Sequence, residues 1–102
     1  VAGAVIRCRP VGMLNMDDEA GHDTKLIVVP GDKVFKGYAH IRDIGDAPQH
    51  WRDRIAHFFE HYKDLESGKW VKVSGWGDAA AARGEIRESV ERYRQAPEKP
   101  KF

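Results

Sequence analysis

Residues 17–29 form the stretch around which the chain is organised: Asp17-Asp18-Glu19-Ala20-Gly21-His22-Asp23-Thr24-Lys25-Leu26-Ile27-Val28-Val29. Four carboxylates and one lysine precede a short, mostly β-branched apolar run. Such a run, closed by Pro30-Gly31, is typical of a buried strand that ends in a turn. The acidic part therefore predicts a loop that joins this strand to an earlier, antiparallel one.

The acidity of this loop has two interpretations. Carboxylates held close together repel one another unless a cation neutralises them. Oxygen ligands suit Mg²⁺, Mn²⁺ or Ca²⁺, and Gly21 would let the backbone turn so that Asp18 and Asp23 face one centre. Lys25 would share a strand face with Asp23, and a metal beside a lysine suggests an anionic ligand such as a phosphate. The alternative is a solvated acidic hairpin loop, since the EF-hand pattern is absent from the sequence.

The composition is that of an ordinary globular protein of one domain. The chain has 102 residues, of which 41% are hydrophobic and 32% charged. Its net charge of +1 gives no electrostatic case for nucleic-acid binding. No apolar run approaches the roughly 18 residues of a membrane span, and no signal peptide is evident. The first residue is Val1 rather than Met, so we expect a piece of a longer protein.

The single cysteine, Cys8, leaves no partner for a disulfide within the chain. This fits a reducing compartment, and we expect a cytoplasmic protein. Nothing in the sequence around Cys8 forms a pair that would activate a nucleophile. We therefore predict that Cys8 is a small core residue.

Three strands are predicted. Residues 4–9 alternate in strand fashion, and residues 11–14 would continue that strand past a bulge or bend at Pro10 and Gly12. The second strand is the apolar run described above, and the third spans residues 70–76. Residues 32–47 predict a turn-rich surface excursion. Four apolar residues should anchor the excursion to the core: Val34, Phe35, Tyr38 and Ile41.

Two helices are predicted. The first should begin at Asp46-Ala47-Pro48, with Asp46 as the N-cap, and run to about Glu66, before Gly68. The second should run from about Ala79 to Gln95, with Asp78 as its N-cap. The buried stripe of the first helix is Trp51, Ile55, Phe58, Phe59, Tyr62 and Leu65. The buried stripe of the second is Ala79, Ala82, Ile86, Val90 and Tyr93. Residues 97–102 predict a polar tail after a domain of residues 1–96.

Polar and aromatic side chains around the first helix suggest contact surfaces. His57, His61 and Asp64 lie opposite the apolar stripe. A histidine pair four residues apart can bind zinc, but the sequence offers no evident third ligand, so we interpret this cluster as a surface or interface feature. The three tryptophans are predicted to anchor the core and interfaces: Trp51, Trp70 and Trp76. A base-stacking surface would instead need basic residues between exposed aromatics.

Four segments together resemble the soluble family I inorganic pyrophosphatases of bacteria. They are Val5–Gly12, the loop Asp18-x4-Asp23-x-Lys25-Leu26, Ile55–Glu66 and Gly68–Val73. The resemblance extends in the same order from Val5 to about Tyr93. It implies an α+β chain, the C-terminal part of an OB-like five-stranded β-barrel with two α-helices packed against it. It also implies hydrolysis of diphosphate to two phosphates by a cytoplasmic, Mg²⁺-dependent enzyme, with Mn²⁺ as a possible substitute.

The resemblance assigns roles to individual residues. Asp18 and Asp23 are similar to two metal-bridging aspartates of the family. The residues similar to its phosphate-binding groups are Lys25, Tyr62 and Lys63. The metal ions would offset the charge of the substrate and lower the pKa of a bridging water, while lysine and phenol donors would stabilise charge on the leaving phosphate.

The sequence also departs from the family. Its signature cluster, of the type Asp-Gly-Asp-Pro-x-Asp, does not occur in this chain. In the family that cluster lies upstream of the part resembled and supplies the remaining metal ligands and the base that activates water. Site residues of the family's N-terminal part are missing too: a glutamate, a lysine, an arginine and a tyrosine. We therefore expect the 102 residues alone to be inactive. The alternative is a non-catalytic oligomerising or phosphate-binding fragment of the same scaffold. In the family's hexamers, the equivalents of His57, His61 and Asp64 meet a symmetry mate.

Overall fold

The structure, a computed structural model, describes residues 2–99. Its elements are strands β1 (Cys8–Asp18), β2 (Gly21–Pro30) and β3 (Val71–Gly77) and helices α1 (Gln49–His61) and α2 (Ala79–Gln95). The strands form one antiparallel sheet in the order β2-β1-β3. The prediction of a mixed fold of strands and two helices is confirmed, with three strands in the part described. None of the helices in that part is long and apolar enough to cross a membrane.

The acidic stretch is the tip of a β-hairpin rather than a long loop. β1 and β2 pair as far as Asp18 opposite Gly21, which leaves Glu19 and Ala20 to make the turn. Gly21 has a φ of +118°, a backbone conformation that glycine adopts at no steric cost. The Asp18 carboxylate closes the turn by accepting the backbone N–H of Ala20 at 2.8 Å. The predicted antiparallel pairing is confirmed, and Asp17, Asp18 and Asp23 belong to the paired strands.

The register of the hairpin decides which side chains share a face of the sheet. Met16 lies opposite Asp23 and Leu14 opposite Lys25, while Asp18 is the diagonal neighbour of Asp23. Residues that face each other in an antiparallel pair project to the same side. Asp18, Asp23 and Lys25 therefore share one face with the fully buried Leu14 and Met16.

The two helices cover opposite faces of the sheet. α1 lies on the face that carries Lys25, because the Lys25 ammonium is 5.5 Å from the centre of the Phe59 ring. α2 lies on the other face, where an added Cβ at Gly77 would touch both Met13 and Ala81. The hairpin tip is thus placed next to the C-terminal end of α1.

The main core lies at the other end of the hairpin. Its buried residues are Val11, Val29, Ile41, Ile44 and Ala47, with Ile27, Tyr38, Trp51 and Trp76 packed against them. Of the four predicted anchors of the 32–47 excursion, Tyr38 and Ile41 pack here. The prediction is wrong for Val34 and Phe35, which are 54% and 51% exposed. Polar contacts hold the excursion in addition to Tyr38 and Ile41, because the Arg9 guanidinium donates to Asp32 and to two backbone carbonyls.

The first strand starts later than predicted, at Cys8 rather than at residue 4. Val5 and Ile6 precede it and are largely exposed. Cys8 makes the last pair of the ladder, opposite Pro30, and its side chain is exposed at that strand end. The prediction of a core cysteine is therefore wrong. The predicted irregularity is confirmed, since the β1–β2 register shifts between Pro10 and Gly12.

α1 is shorter than predicted and starts differently. It begins at Gln49 and ends at His61, five residues before the predicted end. Asp46 is not its N-cap, because the Asp46 carboxylate accepts the backbone N–H groups of Arg42 and Asp43 in the preceding 3₁₀ turn. The predicted stripe is only half-buried at Trp51, Ile55 and Phe59, and it is exposed at Phe58, Tyr62 and Leu65. Three strands are too few to cover the whole face of this helix.

α2 matches its predicted bounds. Asp78 caps it by accepting the backbone N–H of Ala81 at 2.8 Å, and Ala79 and Ala82 are buried as predicted. Val90 and Tyr93, the C-terminal part of the predicted stripe, are exposed instead. Of the three tryptophans, Trp70 is the exposed one. Residues 97–99 of the predicted tail are exposed, and residues 100–102 lie outside the described residues.

Candidate active site

The first carboxylate–lysine pair joins the hairpin tip to the end of α1. Lys63 Nζ lies 2.9 Å from Asp18 Oδ2, and little of either group is open to water, with 9% of the Asp18 side chain and 14% of the Lys63 side chain exposed. The hydrogen bond from Lys63 lowers the pKa of Asp18, and the same bond raises the pKa of Lys63. Both groups are therefore charged at neutral pH, and their opposite charges make the burial of Asp18 tolerable.

The second pair lies on the same face of the sheet. Lys25 Nζ is 2.9 Å from Asp23 Oδ2, and about a third of each side chain is exposed. The Lys25 ammonium also lies over the Phe59 ring of α1, where the ring electrons attract it. This second pair is more open to solvent than the first, so water screens its attraction more strongly.

Aromatic rings connect the two lysines. The centres of the Phe59 and Tyr62 rings are 5.3 Å apart, and the Lys63 ammonium lies 5.6 Å from the Tyr62 ring. Lys25, Phe59, Tyr62 and Lys63 therefore follow one another across the surface between β2 and the end of α1. The structure thus brings together the three residues for which a phosphate-binding role was predicted.

Glu19 is a member of this site that sequence reasoning missed. Its Oε1 accepts the Lys63 ammonium at 3.3 Å, and its Oε2 accepts the backbone N–H of Trp70 at 3.4 Å. Its own backbone N–H and that of Trp70 lower the pKa of Glu19, and Lys63 lowers it further. The only sequence signal was its position beside Asp18, because Lys63 is 44 residues away along the chain.

The carboxylates suit a hard divalent cation in kind but not in number. Asp18 and Asp23 offer oxygen ligands from diagonal positions on one face, which suits Mg²⁺ or Mn²⁺. Within residues 2–99, no group of three His, Cys, Asp or Glu side chains could hold a metal ion. Two aspartates alone are fewer ligands than such a cation takes.

The histidine cluster of α1 is also assembled. The His57 and His61 rings are 4.5 Å apart, and His61 Nδ1 is 2.9 Å from Asp64 Oδ2. All three side chains are exposed. The structure therefore places the cluster on the surface, and its role in contact with another molecule stays a prediction.

The sheet, its two helices and the paired charges define an α+β protein with a polar site on one face of a β-hairpin. The family model for inorganic pyrophosphatase matches residues 1–94. The chain belongs to this family, whose members are hydrolases that act on diphosphate.

Relatives and solved structures agree with this assignment. The chain is 63% identical over 93 residues to the inorganic pyrophosphatase of Xanthomonas axonopodis pv. citri, covering 91% of this chain and 52% of the relative. It is 62% identical over 90 residues to that of Escherichia coli K12, covering 88% and 51%. The structure matches the inorganic pyrophosphatase of Helicobacter pylori with a TM-score of 0.89 at 45% identity, over 92% of this chain and 55% of that one. The Thermus thermophilus enzyme gives a TM-score of 0.86 at 47% identity, over 92% and 54%. The chain thus spans about half the length of the relatives it matches.

Proposed function

We propose that this chain supplies the phosphate-binding groups and part of the metal site of an Mg²⁺-dependent inorganic pyrophosphatase. The observation that carries the proposal is the convergence of two carboxylate–lysine pairs on one face of the hairpin, Asp18 with Lys63 and Asp23 with Lys25. Membership of the pyrophosphatase family supports diphosphate as the substrate class of this charged face.

Each residue has a part that follows from its position. Asp18 and Asp23 would hold the cation, which when bound offsets substrate charge and lowers the pKa of a coordinated water. Lys25 and Lys63 would donate to phosphate oxygens once the cation shares the charge of their aspartates. Tyr62 is 38% exposed beside Lys63, so its phenol could donate to the same phosphate group. These donors would stabilise charge on the leaving phosphate.

The proposal extends to the whole enzyme. Its fold would be a five-stranded OB-like barrel, in which further strands cover the exposed apolar side chain of Phe58 on α1. The assembled enzyme would be a cytoplasmic homohexamer, with His57, His61 and Asp64 at a contact between subunits. The exposure of that cluster supports the contact, and the single cysteine of this chain supports a reducing compartment.

Calorimetric titration of Mn²⁺ or Mg²⁺ tests the metal role. We expect the wild-type chain to bind with a dissociation constant of roughly 10⁻⁴–10⁻³ M, typical of a loosely organised oxygen site. Asp23→Asn should weaken this binding. Asp17→Asn is the matched control, because Asp17 pairs with His22 on the opposite face of the same strand end. Identical curves for wild type and Asp23→Asn would remove the metal role.

Titration of inorganic phosphate in the presence of Mg²⁺ tests the anion role. Lys25→Met should weaken phosphate binding, whereas Lys69→Met, at an exposed lysine paired with Glu66, should leave it unchanged. Equal effects of the two substitutions would contradict the proposal.

The second candidate, a non-catalytic phosphate-binding fragment, is favoured by the lack of a three-ligand group in residues 2–99. It predicts phosphate binding that does not depend on Mg²⁺.

A further inference from the structure

In the function proposed above, on which this inference rests, Asp18 binds a divalent cation. Lys63 and that cation would compete for the Asp18 carboxylate. The Lys63 ammonium now lies 2.9 Å from Asp18 Oδ2. A doubly charged ion on Asp18 would repel that ammonium and take up the charge that attracts it. Because lysine carries its charge on a flexible four-carbon stem, an ammonium that loses its partner would move out to water. A phosphate-binding role for Lys63 therefore needs a second group that keeps it in place.

Glu19 has the geometry of that second group. One of its carboxylate oxygens accepts the Lys63 ammonium, which follows α1, and the other accepts the backbone N–H of Trp70, which precedes β3. The carboxylate is thus fixed from two sides by the segment that joins these elements. Only 28% of the Glu19 side chain is exposed. By contrast, Glu66 and Lys69 of the same segment form a pair in which about half of each side chain is exposed.

We propose that Glu19 is a positioning residue that holds Lys63 at the site when a divalent cation occupies Asp18. Of these two successive carboxylates, Asp18 then binds the cation and Glu19 binds the Lys63 ammonium. This arrangement lets a cation and an ammonium group lie side by side, where both can contact one phosphate group. Glu19 acts through Lys63 and needs no contact of its own with the phosphate.

The test follows the ammonium group of Lys63 by NMR in the 102-residue chain labelled with ¹⁵N-lysine. An ammonium held by a carboxylate exchanges its protons slowly and gives a signal, whereas a free one exchanges with water and its signal is lost. Wild type, Glu19→Gln and the matched control Glu66→Gln are compared with and without Mg²⁺, and the loss of the signal in Lys63→Arg assigns it. We expect the Lys63 signal to survive Mg²⁺ in wild type and in Glu66→Gln, and to disappear in Glu19→Gln only when Mg²⁺ is added.

Two outcomes overturn the proposal. If the signal of Glu19→Gln survives saturating Mg²⁺, Glu19 is not needed to hold Lys63. If it is already lost without Mg²⁺, Glu19 has a general structural role that is unconnected with the cation.

A metal-free arm separates failure of this inference from failure of the proposed function. If calorimetry shows no Mg²⁺ uptake, the proposed metal role fails, and Asp18→Asn then removes the charge of Asp18 without a metal. The Lys63 signal should persist in Asp18→Asn and disappear when Glu19→Gln is added to it. Loss of the signal in Asp18→Asn alone would refute the role of Glu19. Circular dichroism checks that each variant folds, and Asp18→Ser replaces Asp18→Asn if the latter does not.

Discussion

Single carboxylates hold distant parts of this chain together. Asp32 accepts the guanidinium groups of Arg9 and Arg42, each at 2.8 Å, and so attaches the 32–47 excursion to β1. Asp43 Oδ1 accepts the backbone N–H of Ala79 at 2.8 Å and thereby attaches the excursion to the start of α2. Two of these contacts, Arg9 with Asp32 and Ala79 with Asp43, join residues more than 20 positions apart. They therefore fix the excursion against β1 and α2.

The contribution of Asp32 to stability should depend on pH. Its hydrogen bonds to Arg9, and then to Arg42, lower the pKa of Asp32 in the folded state. A lowered folded pKa adds stability that is complete above the unfolded value, about 3.9, and that is lost as pH falls through the folded value. Urea midpoints of wild type and Asp32→Asn should therefore differ at pH 7 and converge below about pH 4. An Asp53→Asn series corrects for the loss of one negative charge, and a gap between the curves that stayed constant to pH 2 would contradict this account.

At the scale of elements, the excursion and the sheet meet at Gly12. A Cβ added to Gly12 would lie 2.7 Å from the Cβ of Ile44 and 3.0 Å from the carbonyl oxygen of Gly77. The Gly77 oxygen belongs to the backbone and the Ile44 Cβ to a buried side chain. Neither atom can therefore shift at low energetic cost. The absence of a side chain at Gly12 therefore lets the 3₁₀ turn at Ile44–Asp46 pack directly on β1.

Gly12→Ala should destabilise the chain. Overpacking of this kind costs about 1–3 kcal/mol of unfolding free energy. The matched control is Gly45→Ala in the adjoining turn, where an added Cβ would meet no heavy atom within 4 Å. Urea unfolding of both variants gives the comparison. Equal losses at the two positions would show that the close approach at Gly12 is not what stabilises this junction.

An element is predicted well from the sequence when the residues that determine its bounds lie within or next to the element itself. α2 was predicted at its observed bounds because a capping aspartate and a continuous helical pattern lie in the element itself. The end of α1 was predicted five residues too late. Its apolar stripe continues through Leu65, but the sheet that would bury it has only three strands in residues 2–99. Likewise, the acidic stretch was predicted as a loop because charge patterns do not reveal how far a hairpin ladder extends.

The candidate site was predictable only in part. Asp23 and Lys25 are two residues apart, so strand periodicity predicts that they share a face, and a turn at Gly21 is expected to bring Asp18 to the same centre. The register of the hairpin then places all three on one face. Their contacts with Lys63 and Phe59 span more than 30 residues, and no local pattern encodes such a distance. Only the resemblance to a family linked them to Lys63 beforehand, and it gave Glu19 no role.

At the scale of the whole molecule, the histidine cluster should make association depend on pH. His57 and His61 lie ring to ring on the surface, and histidine is the side-chain type that can change its charge within the physiological pH range. Paired positive charges would oppose a contact with a symmetry mate, although Asp64 would offset part of the charge on His61. Sedimentation at pH 8 and pH 5.5 should therefore show weaker association at the lower pH. A pH-independent oligomer, or normal assembly of the His57→Ala, His61→Ala variant, would count against the interface.

Catalysis depends on how many ligands the molecule provides for the metal ions that lie beside the substrate. In-line attack on a phosphorus atom needs a water that is held between metal ions and aimed at it. Two aspartates can tether one ion loosely, and the described residues add no third ligand to them. The carboxylates after α1, Asp64 and Glu66, do not complete a three-ligand group among the described residues.

We therefore expect the chain from Val1 to Phe102 alone to hydrolyse diphosphate at no more than a trace of the rate of a full-length relative. Lys25, Tyr62 and Lys63 remain in place, so weak phosphate binding should survive the loss of turnover. The measurement is phosphate release from Mg²⁺-diphosphate, with mass spectrometry to exclude a longer contaminant. Turnover within about tenfold of a full-length relative would mean that this half alone lowers the barrier to within about 1.4 kcal/mol of the whole enzyme. Recovery of activity on adding the N-terminal half of a relative as a separate polypeptide would show that the face built by Asp18, Asp23 and their lysines is a competent half-site.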